Sequence, residues 1–536
     1  MNTPAVIDRK HGPLATEDDD VKDYGADHVE KLDTTKSTPN NLYDSIEQTK
    51  PSNSVWLITA TVAMGGFLFG YDTGVISAVL VNLRADLGHA LSSNEQELIT
   101  SLTSGGALIG AVIAGMTADR HGRKFGIYIG CFLFFIGSII QAASFSLAQM
   151  AVGRFVVGLG VGSAAMIIPL YISEIAPARH RGRMIALDNM SVTFGQLISY
   201  ALGAALTGPA HGWRYMVAIG GVPPVILFFL LPLCPESPRQ LLSHGHREKA
   251  TQVIARVYPH ASEAQVSAKV DHIVQGVEAE SHALAGKSLW WQFKQLHFVG
   301  SNLRPLISAC AIMAISQLGG FNTLMYYSAT LFSLVGFNNA TAVAIVVGAT
   351  NFIFSIVNLV IIDKVGRRRI LLVTVLGMSL TLALVAIAFH FIPISKDLVL
   401  EADSVNWAGI VVLVAIIIYI AFFSGGVATI AWVGTELLPL EVRALGTMMN
   451  TVTCWGCNII IASTFLSMMK GITPSGAFGF YSGICFVGWL FVIFCYPEVS
   501  RLPLEEVRQV FDDGFGVKLA SRMQRERKLI EASALA

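Results

Sequence analysis

Asp119-Arg-His-Gly-Arg-Lys124 and Asp363-Lys-Val-Gly-Arg-Arg368 are two versions of one stretch, offset by 244 residues. Ser173-Glu-Ile-Ala-Pro177 with Arg181 returns as Thr435-Glu-Leu-Leu-Pro439 with Arg443, and Pro235-Glu236 returns as Pro497-Glu498, both at an offset of 262. Three matches in the same order describe a chain built from two copies of one unit. Each charged block is short and flanked by long apolar runs, so the unit is a set of membrane helices joined by charged turns. A parallel repeat of this kind places a binding site near the midplane, between halves that rock against each other.

Outward from these blocks the apolar runs number twelve, at about 55–83, 98–118, 125–145, 149–171, 184–206, 214–233, 304–334, 341–362, 370–392, 408–435, 444–468 and 476–496. Each is long enough to cross about 30 Å of hydrocarbon as a helix. The 536 residues are 53% hydrophobic and 14% charged, with a mean hydropathy of +0.57, which excludes an ordinary soluble domain. Thirty-seven basic residues balance thirty-seven acidic ones, so nothing in the net charge points to a nucleic-acid partner.

The reading is an all-α membrane protein of twelve transmembrane helices in two six-helix halves. The expected organisation is a disordered tail (1–54), an N-terminal half (55–235), a helical linker domain (236–303), a C-terminal half (304–497) and a C-terminal tail (498–536). The first tail carries eleven acidic and six basic residues with almost no apolar periodicity. Arg120, Arg123, Lys124, Arg179, Arg181, Arg183, Lys364, Arg367, Arg368 and Arg369 crowd three short loops on one side. An excess of Lys and Arg marks the cytoplasmic side, so both termini and the linker domain are expected there.

The repeated acids at these helix ends, Asp119, Glu174, Glu236, Asp363, Glu436 and Glu498, are more than topogenic charge requires. With Arg123, Arg181, Arg239, Arg367 and Arg443 they are candidate salt bridges of a cytoplasmic gate, and carboxylates also favour helix N-termini.

Ionisable groups at membrane depth are costly and mark function. Asp72, in Phe69-Gly-Tyr-Asp72-Thr-Gly74, and Arg154 in the fourth span are the leading candidates for proton coupling. An Asp that alternates between pairing with a guanidinium and facing a dry cavity takes up and releases a proton. Asp188 is a secondary candidate, and His390 reads as a solvated or capping group.

Uncharged polar groups suggest the cargo. Gln317, Asn322 and Tyr326 in the seventh span can converge with Gln196, Asn351, Trp432 and Trp455. Amides donate and accept, which suits hydroxyls, and indoles cover the C–H face of a ring. A small neutral polyol or sugar fits. Gly319-Gly320 is positioned to loosen the seventh helix and expose its backbone. Cys454-Trp-Gly-Cys457 imitates a redox motif, but it lies in an apolar helix without a basic neighbour to form a thiolate. No Walker A, metal-ligand cluster or nucleophile elbow is present, and no cofactor is expected.

At these residues the chain resembles the sugar porter family of the major facilitator superfamily, over about 51–520. The resemblance rests on Phe69–Gly74, Gly122-Arg-Lys124, Ser173–Pro177 with Arg181-Gly-Arg183, Pro235-Glu-Ser-Pro-Arg239, Gly366-Arg-Arg368 and Gln317…Asn322…Tyr326-Tyr327. Met150-Ala-Val-Gly-Arg154, Ser301-Asn-Leu-Arg304, Asn351-Phe-Ile-Phe354, Ile461-Ala-Ser-Thr-Phe465 and Cys495-Tyr-Pro-Glu498 look closer still to fungal myo-inositol/proton symporters.

The resemblance implies a plasma-membrane polyol carrier that works as a monomer among membrane lipid, with protons as co-substrate. Asp72 and Arg154 match the family's coupling pair. Gln196, Gln317, Asn322, Tyr326, Asn351 and Trp432 match its substrate contacts, and Trp455 matches the tryptophan beside a further one. The chain departs from the pattern at Ser316, Asn189, Thr429 and Cys454, where the family usually has Gln, Gln, Pro and an amide. Two other readings therefore stand beside myo-inositol symport: another sugar or a specialised metabolite on the same fold, and a transport-inactive nutrient receptor.

Overall fold

The computed structural model describes residues 45–284, 287–395, 397–401, 405–438, 440–499, 507 and 509–535. Six helices form the first half: α1 (Asn53–Asn82), α2 (Ser93–His121), α3 (Arg123–Ala142), α4 (Leu147–Ile175), α5 (Arg181–Ala205) and α6 (Gly212–Leu233). Four shorter helices follow: α7 (Pro238–Ser243), α8 (Arg247–Val257), α9 (Glu263–Leu284) and α10 (Leu289–Phe298). The second half is α11 (Gly300–Leu318), α12 (Phe321–Val335), α13 (Ala340–Val365), α14 (Arg367–His390), α15 (Trp407–Phe422), α16 (Ala428–Val433) and α17 (Leu440–Cys495). A last helix, α18 (Val517–Leu535), closes the described chain.

Twelve spans result because α11 and α12 are the halves of one broken span, α15 and α16 of another, and α17 is two spans in sequence. Its break falls at Ile472 (φ −122°) and Thr473 (φ 68°, ψ 157°). Pro474 forces it, since a proline disfavours helical geometry in the residue before it and offers no N–H. The seventh span starts earlier than its apolar run, at Gly300 rather than near 304.

Glycine decides how closely the helices of the first half approach. Gly66, Gly70 and Gly74 recur every four residues along α1, and a β-carbon on Gly70 would overlap the Val192 carbonyl oxygen of α5. From the other side, a β-carbon on Gly195 would overlap the Phe67 carbonyl oxygen. α1 and α5 are thus in backbone contact, the packing that small residues at four-residue spacing permit in membranes.

The seventh span breaks where the paired glycines were expected to loosen it. Gly320 takes φ 90°, ψ 9°, a left-handed geometry only glycine adopts without strain. The carbonyl of Gly319 freed by the break accepts from Tyr419 Oη at 2.9 Å. The tenth span is interrupted by a π-bulge at Phe423–Val427, and the Phe423 ring stacks on Phe321 just after the first break, with centroids 3.8 Å apart.

Most of the tail read as disordered, residues 1–44, lies outside the described residues. Residues 45–52 correct that reading, because they are packed. Ile46 is buried, Ser52 N–H donates to the Val257 carbonyl at 2.9 Å, and Gln265 Nε2 donates to Ser45 Oγ at 2.8 Å. Composition hid this, since the anchoring groups are mostly polar.

Glu47 is the centre of the anchor. It accepts from Lys269 Nζ at 2.5 Å, from Tyr258 Oη at 2.9 Å and from the Ala178 N–H at 2.9 Å. Burial alone would raise its pKa, but Lys269 and these donors together hold it below its ordinary value. A carboxyl depressed on folding stabilises the fold at neutral pH, and the stabilisation is lost as the pH falls through the acidic range. Glu47→Gln is expected to flatten this part of the acid sensitivity, read as thermal unfolding of the purified protein at pH 7 against pH 4.

Candidate transport site

Asp72 lies two-thirds of the way along α1, and Arg154 in the first third of α4, which runs the opposite way. Both are buried, and Arg154 Nη1 donates to Asp72 Oδ1 at 2.6 Å. Arg154 Nε donates to the Ile99 carbonyl of α2 at 3.2 Å, so the guanidinium is oriented from two sides. Next to Asp72, Tyr71 Oη donates to the Met216 carbonyl at 2.7 Å. The two residues paired on paper are therefore a buried ion pair in space.

The amides form two nodes, each crossing between the halves. In the first, Asn351 Nδ2 donates to Gln196 Oε1 at 2.5 Å, and Ser424 Oγ donates to Asn351 Oδ1 at 2.5 Å. In the second, Asn458 Oδ1 accepts from Ser104 Oγ at 2.9 Å and from Tyr326 Oη at 3.1 Å. Asn458 Nδ2 donates to Gln317 Oε1 at 3.3 Å, and the same oxygen accepts from Asn322 Nδ2 at 2.6 Å. Chains of amides keep unused lone pairs and N–H groups that hydroxyls can replace one for one.

The remaining candidates are the two tryptophans and Asn189. Trp455 is buried edge-on against Phe69 at 5.6 Å, and its buried indole N–H has no partner among the described residues. Trp432, on α16, is 42% exposed. Asn189 is half-buried beside Asp188, whose buried Oδ1 also has no partner among the described residues.

At the face opposite α7–α10, the halves are stitched together. Ser77 and Ser328 hydroxyls are 3.0 Å apart, Ala329 N–H donates to Ser77 Oγ at 2.9 Å, and Tyr200 Oη donates to the Met325 carbonyl at 2.5 Å. Further out, Glu97 accepts from Ser467 N–H at 2.7 Å and Ser467 Oγ at 2.5 Å.

On the α7–α10 face, Arg123 is the hub. Its Nη2 donates to Asp119 Oδ1 and to Glu174 Oε1, both at 2.8 Å, its Nη1 donates to the Ala118 carbonyl, and a further bond joins Nη1 to Gln240 Oε1. Glu236 and Glu498 also cap helices. Glu236 accepts from the N–H groups of Arg123 and Lys124 at 3.2 and 3.3 Å, and Glu498 from Arg368 N–H at 2.8 Å. A carboxylate at a helix start meets unpaired N–H groups and the positive end of the dipole.

Arg443 donates to the Leu438 carbonyl, Arg239 and Arg367 also have partners, and Arg181 is exposed. The side chains of Asp363 and Glu436 lie outside what is described. Arg123→Ala strands the buried Glu174 and is expected to cost about 3–5 kcal/mol, read as a lowered thermal transition of the purified protein.

With this geometry in view, a family model described as "Sugar (and other) transporter" matches residues 58–511. The chain belongs to that family. Myo-inositol transporter 1 of Cryptococcus neoformans is 44% identical over 91% of this chain and 86% of its own length. Myo-inositol transporter 1 of Saccharomyces cerevisiae is 42% identical over 89% and 83%. Among solved structures, the proton:xylose symporter XylE bound to 6-bromo-6-deoxy-D-glucose is 25% identical, covers 86% of this chain and all of its own, and has a TM-score of 0.70. A partially occluded inward-open form of XylE from E. coli is 26% identical with a TM-score of 0.68 over 84% of this chain.

This sugar transporter is accordingly a carrier of the major facilitator fold and not an enzyme. Three polar residues of its nodes escaped the sequence reading: Asn458, Ser424 and Ser104. Asn458 carries the same signal as Asn351, an amide in an apolar helix. Ser424 is one hydroxyl in a serine-glycine run, and its role depends on the π-bulge. Asn458→Ala is expected to raise the transporter's KM about tenfold, the value of one hydrogen bond of about 1.4 kcal/mol, with surface expression retained.

Proposed function

We propose that the chain is a proton-coupled symporter of a neutral polyol, myo-inositol, working by alternating access. In this reading it sits in the plasma membrane with both termini and α7–α10 in the cytoplasm. The observation that carries it is the buried Asp72–Arg154 pair lying in the same bundle as two amide nodes that bridge the halves. The names of the curated relatives support the cargo, and the solved proton:xylose symporter supports the coupling.

The chemistry is consistent with that cargo. Gln196, Gln317, Asn322, Asn351 and Asn458 offer donors and acceptors in pairs, as a ring of hydroxyls requires, and Tyr326 and the N–H of Trp455 add donors. Asn189 and Trp432 complete the proposed binding set. With α7–α10 cytoplasmic, the seams at Ser77–Ser328 and Glu97–Ser467 seal the outer side, as an inward-facing or occluded state requires. In that state Asp72 has Arg154 as its partner. One proton per cycle is exchanged as Asp72 alternates between this pairing and a protonated, substrate-loaded state. The Arg123 network, which joins α2, α3, α4 and α7, is proposed to hold the cytoplasmic ends of the first half together as it rocks.

The test is uptake of labelled myo-inositol by cells lacking their own carrier and expressing this chain. Concentrative, uncoupler-sensitive uptake is expected. Surface expression without uptake overturns the reading.

A further inference from the structure

The short helix α10 has two faces that the transport site does not use. Ser288 caps it, with its hydroxyl accepting from Trp291 N–H at 3.2 Å. Gln292 and Leu296, one turn apart, are buried, and Leu296 packs with Leu306, Leu438 and Val442, at the ends of membrane helices of the second half. The other side carries Trp290, 63% exposed, Lys294, exposed, and Phe298, 80% exposed, one per helical turn.

The exposed side is organised. The Trp290 ring stacks on Phe293 at 5.4 Å with planes 6° apart, and Phe293 stacks on His297 at 4.1 Å. Lys287 Nζ lies 4.4 Å over the Trp291 ring and Lys294 Nζ 5.7 Å over Trp290. From Lys287 to Arg304 the sequence has two lysines and an arginine and no acidic residue.

Large aromatics presented together to water mark a surface with a partner. The partner's place follows from the chain: Val299 is a single extended residue (φ −94°, ψ 115°), and Gly300 begins a membrane-spanning helix. A helix so joined, with aromatic and cationic residues on its outer face, lies at the level of the lipid headgroups.

We propose that α10 is an interfacial helix that seats Trp290 and Phe298 in the membrane surface and binds acidic lipid headgroups through Lys287 and Lys294. The occupant is the leaflet of the membrane this chain spans. Because Leu296 rests on Leu306, Leu438 and Val442, the bound lipid braces the ends of α11 and α17 that the moving half carries. Only the choice of the cytoplasmic leaflet rests on the orientation proposed above.

The test uses the full chain in vesicles of phosphatidylcholine and phosphatidylserine, one or the other carrying bromine near the headgroup end of its chains. Eight tryptophans emit, so the readout is the emission lost on Trp290→Phe. That difference emission is expected to be quenched by brominated lipid and shielded from iodide in the water. Quenching by iodide and not by brominated lipid overturns the proposal and leaves the stripe for a soluble partner.

Brominated phosphatidylserine is expected to quench more than brominated phosphatidylcholine at equal content. The Lys287→Gln/Lys294→Gln double variant should lose that preference, each lysine contributing up to about fivefold. Equal quenching by both lipids in the unsubstituted protein overturns the acidic-lipid assignment. Epitope accessibility of the termini in intact cells tests orientation separately, and its failure leaves the lipid contact standing.

Discussion

Asp72→Asn is expected to abolish accumulation of the solute while leaving exchange down a gradient. One proton moving through about 100 mV supplies about 2.3 kcal/mol, and one pH unit adds about 1.4 kcal/mol. Together these support roughly 500-fold accumulation at one proton per solute, and none of it is available to a side chain that cannot carry the proton. Asparagine has nearly the shape of aspartate and keeps an oxygen for Arg154 Nη1, so the α1–α4 contact at 2.6 Å has a substitute. The measurement is the ratio of internal to external labelled myo-inositol in energised cells, with counterflow exchange and surface expression as companions. A variant that still accumulates solute as the unsubstituted protein does removes Asp72 from coupling.

Gly70→Ala is expected to be the most damaging single-methyl change in the first half. The added carbon would overlap the Val192 carbonyl oxygen, which is backbone and cannot rotate away. Gly66 and Gly74 hold the same interface a turn to either side, so α1 cannot tilt to relieve the clash without breaking their contacts. Overpacking costs about 1–3 kcal/mol and more when backbone must move. Moving α1 against α5 would also displace Asp72 on one helix and Gln196 on the other. A lower thermal transition, reduced surface expression and lost uptake are expected. Gly105→Ala is the control: a β-carbon there meets nothing within 4 Å, so stability should stay within about 0.5 kcal/mol. Equal stability of the two variants would refute the close-packed reading of α1 and α5.

Much of the site was legible because the membrane penalises polar groups. Asp72 and Arg154 stand out in apolar runs, and so do Gln196, Gln317, Asn322 and Asn351, and the structure joins each of them to another polar group. The same argument would have found Asn458. It could not have found Gln240, which joins the Arg123 hub from α7, because a glutamine in a polar segment carries no signal. Glu236 and Glu498 were visible as repeated acids, but their work as helix caps depends on the turn that brings them under α3 and α14.

Length of apolar run, excess of Lys and Arg, and the spacing of repeated blocks are properties of neighbouring residues. They determined by themselves that the chain is two related sets of six membrane helices with polar groups at their middle. Which amide meets which was decided only by tertiary structure, since Gln196 and Asn351 belong to different halves and Ser104 reaches Asn458 from 354 residues away. Those meetings follow from how closely the helices approach, where Gly320 and the π-bulge break them, and on which face the halves close. Each of these is a property of packed pairs of helices and of no single segment.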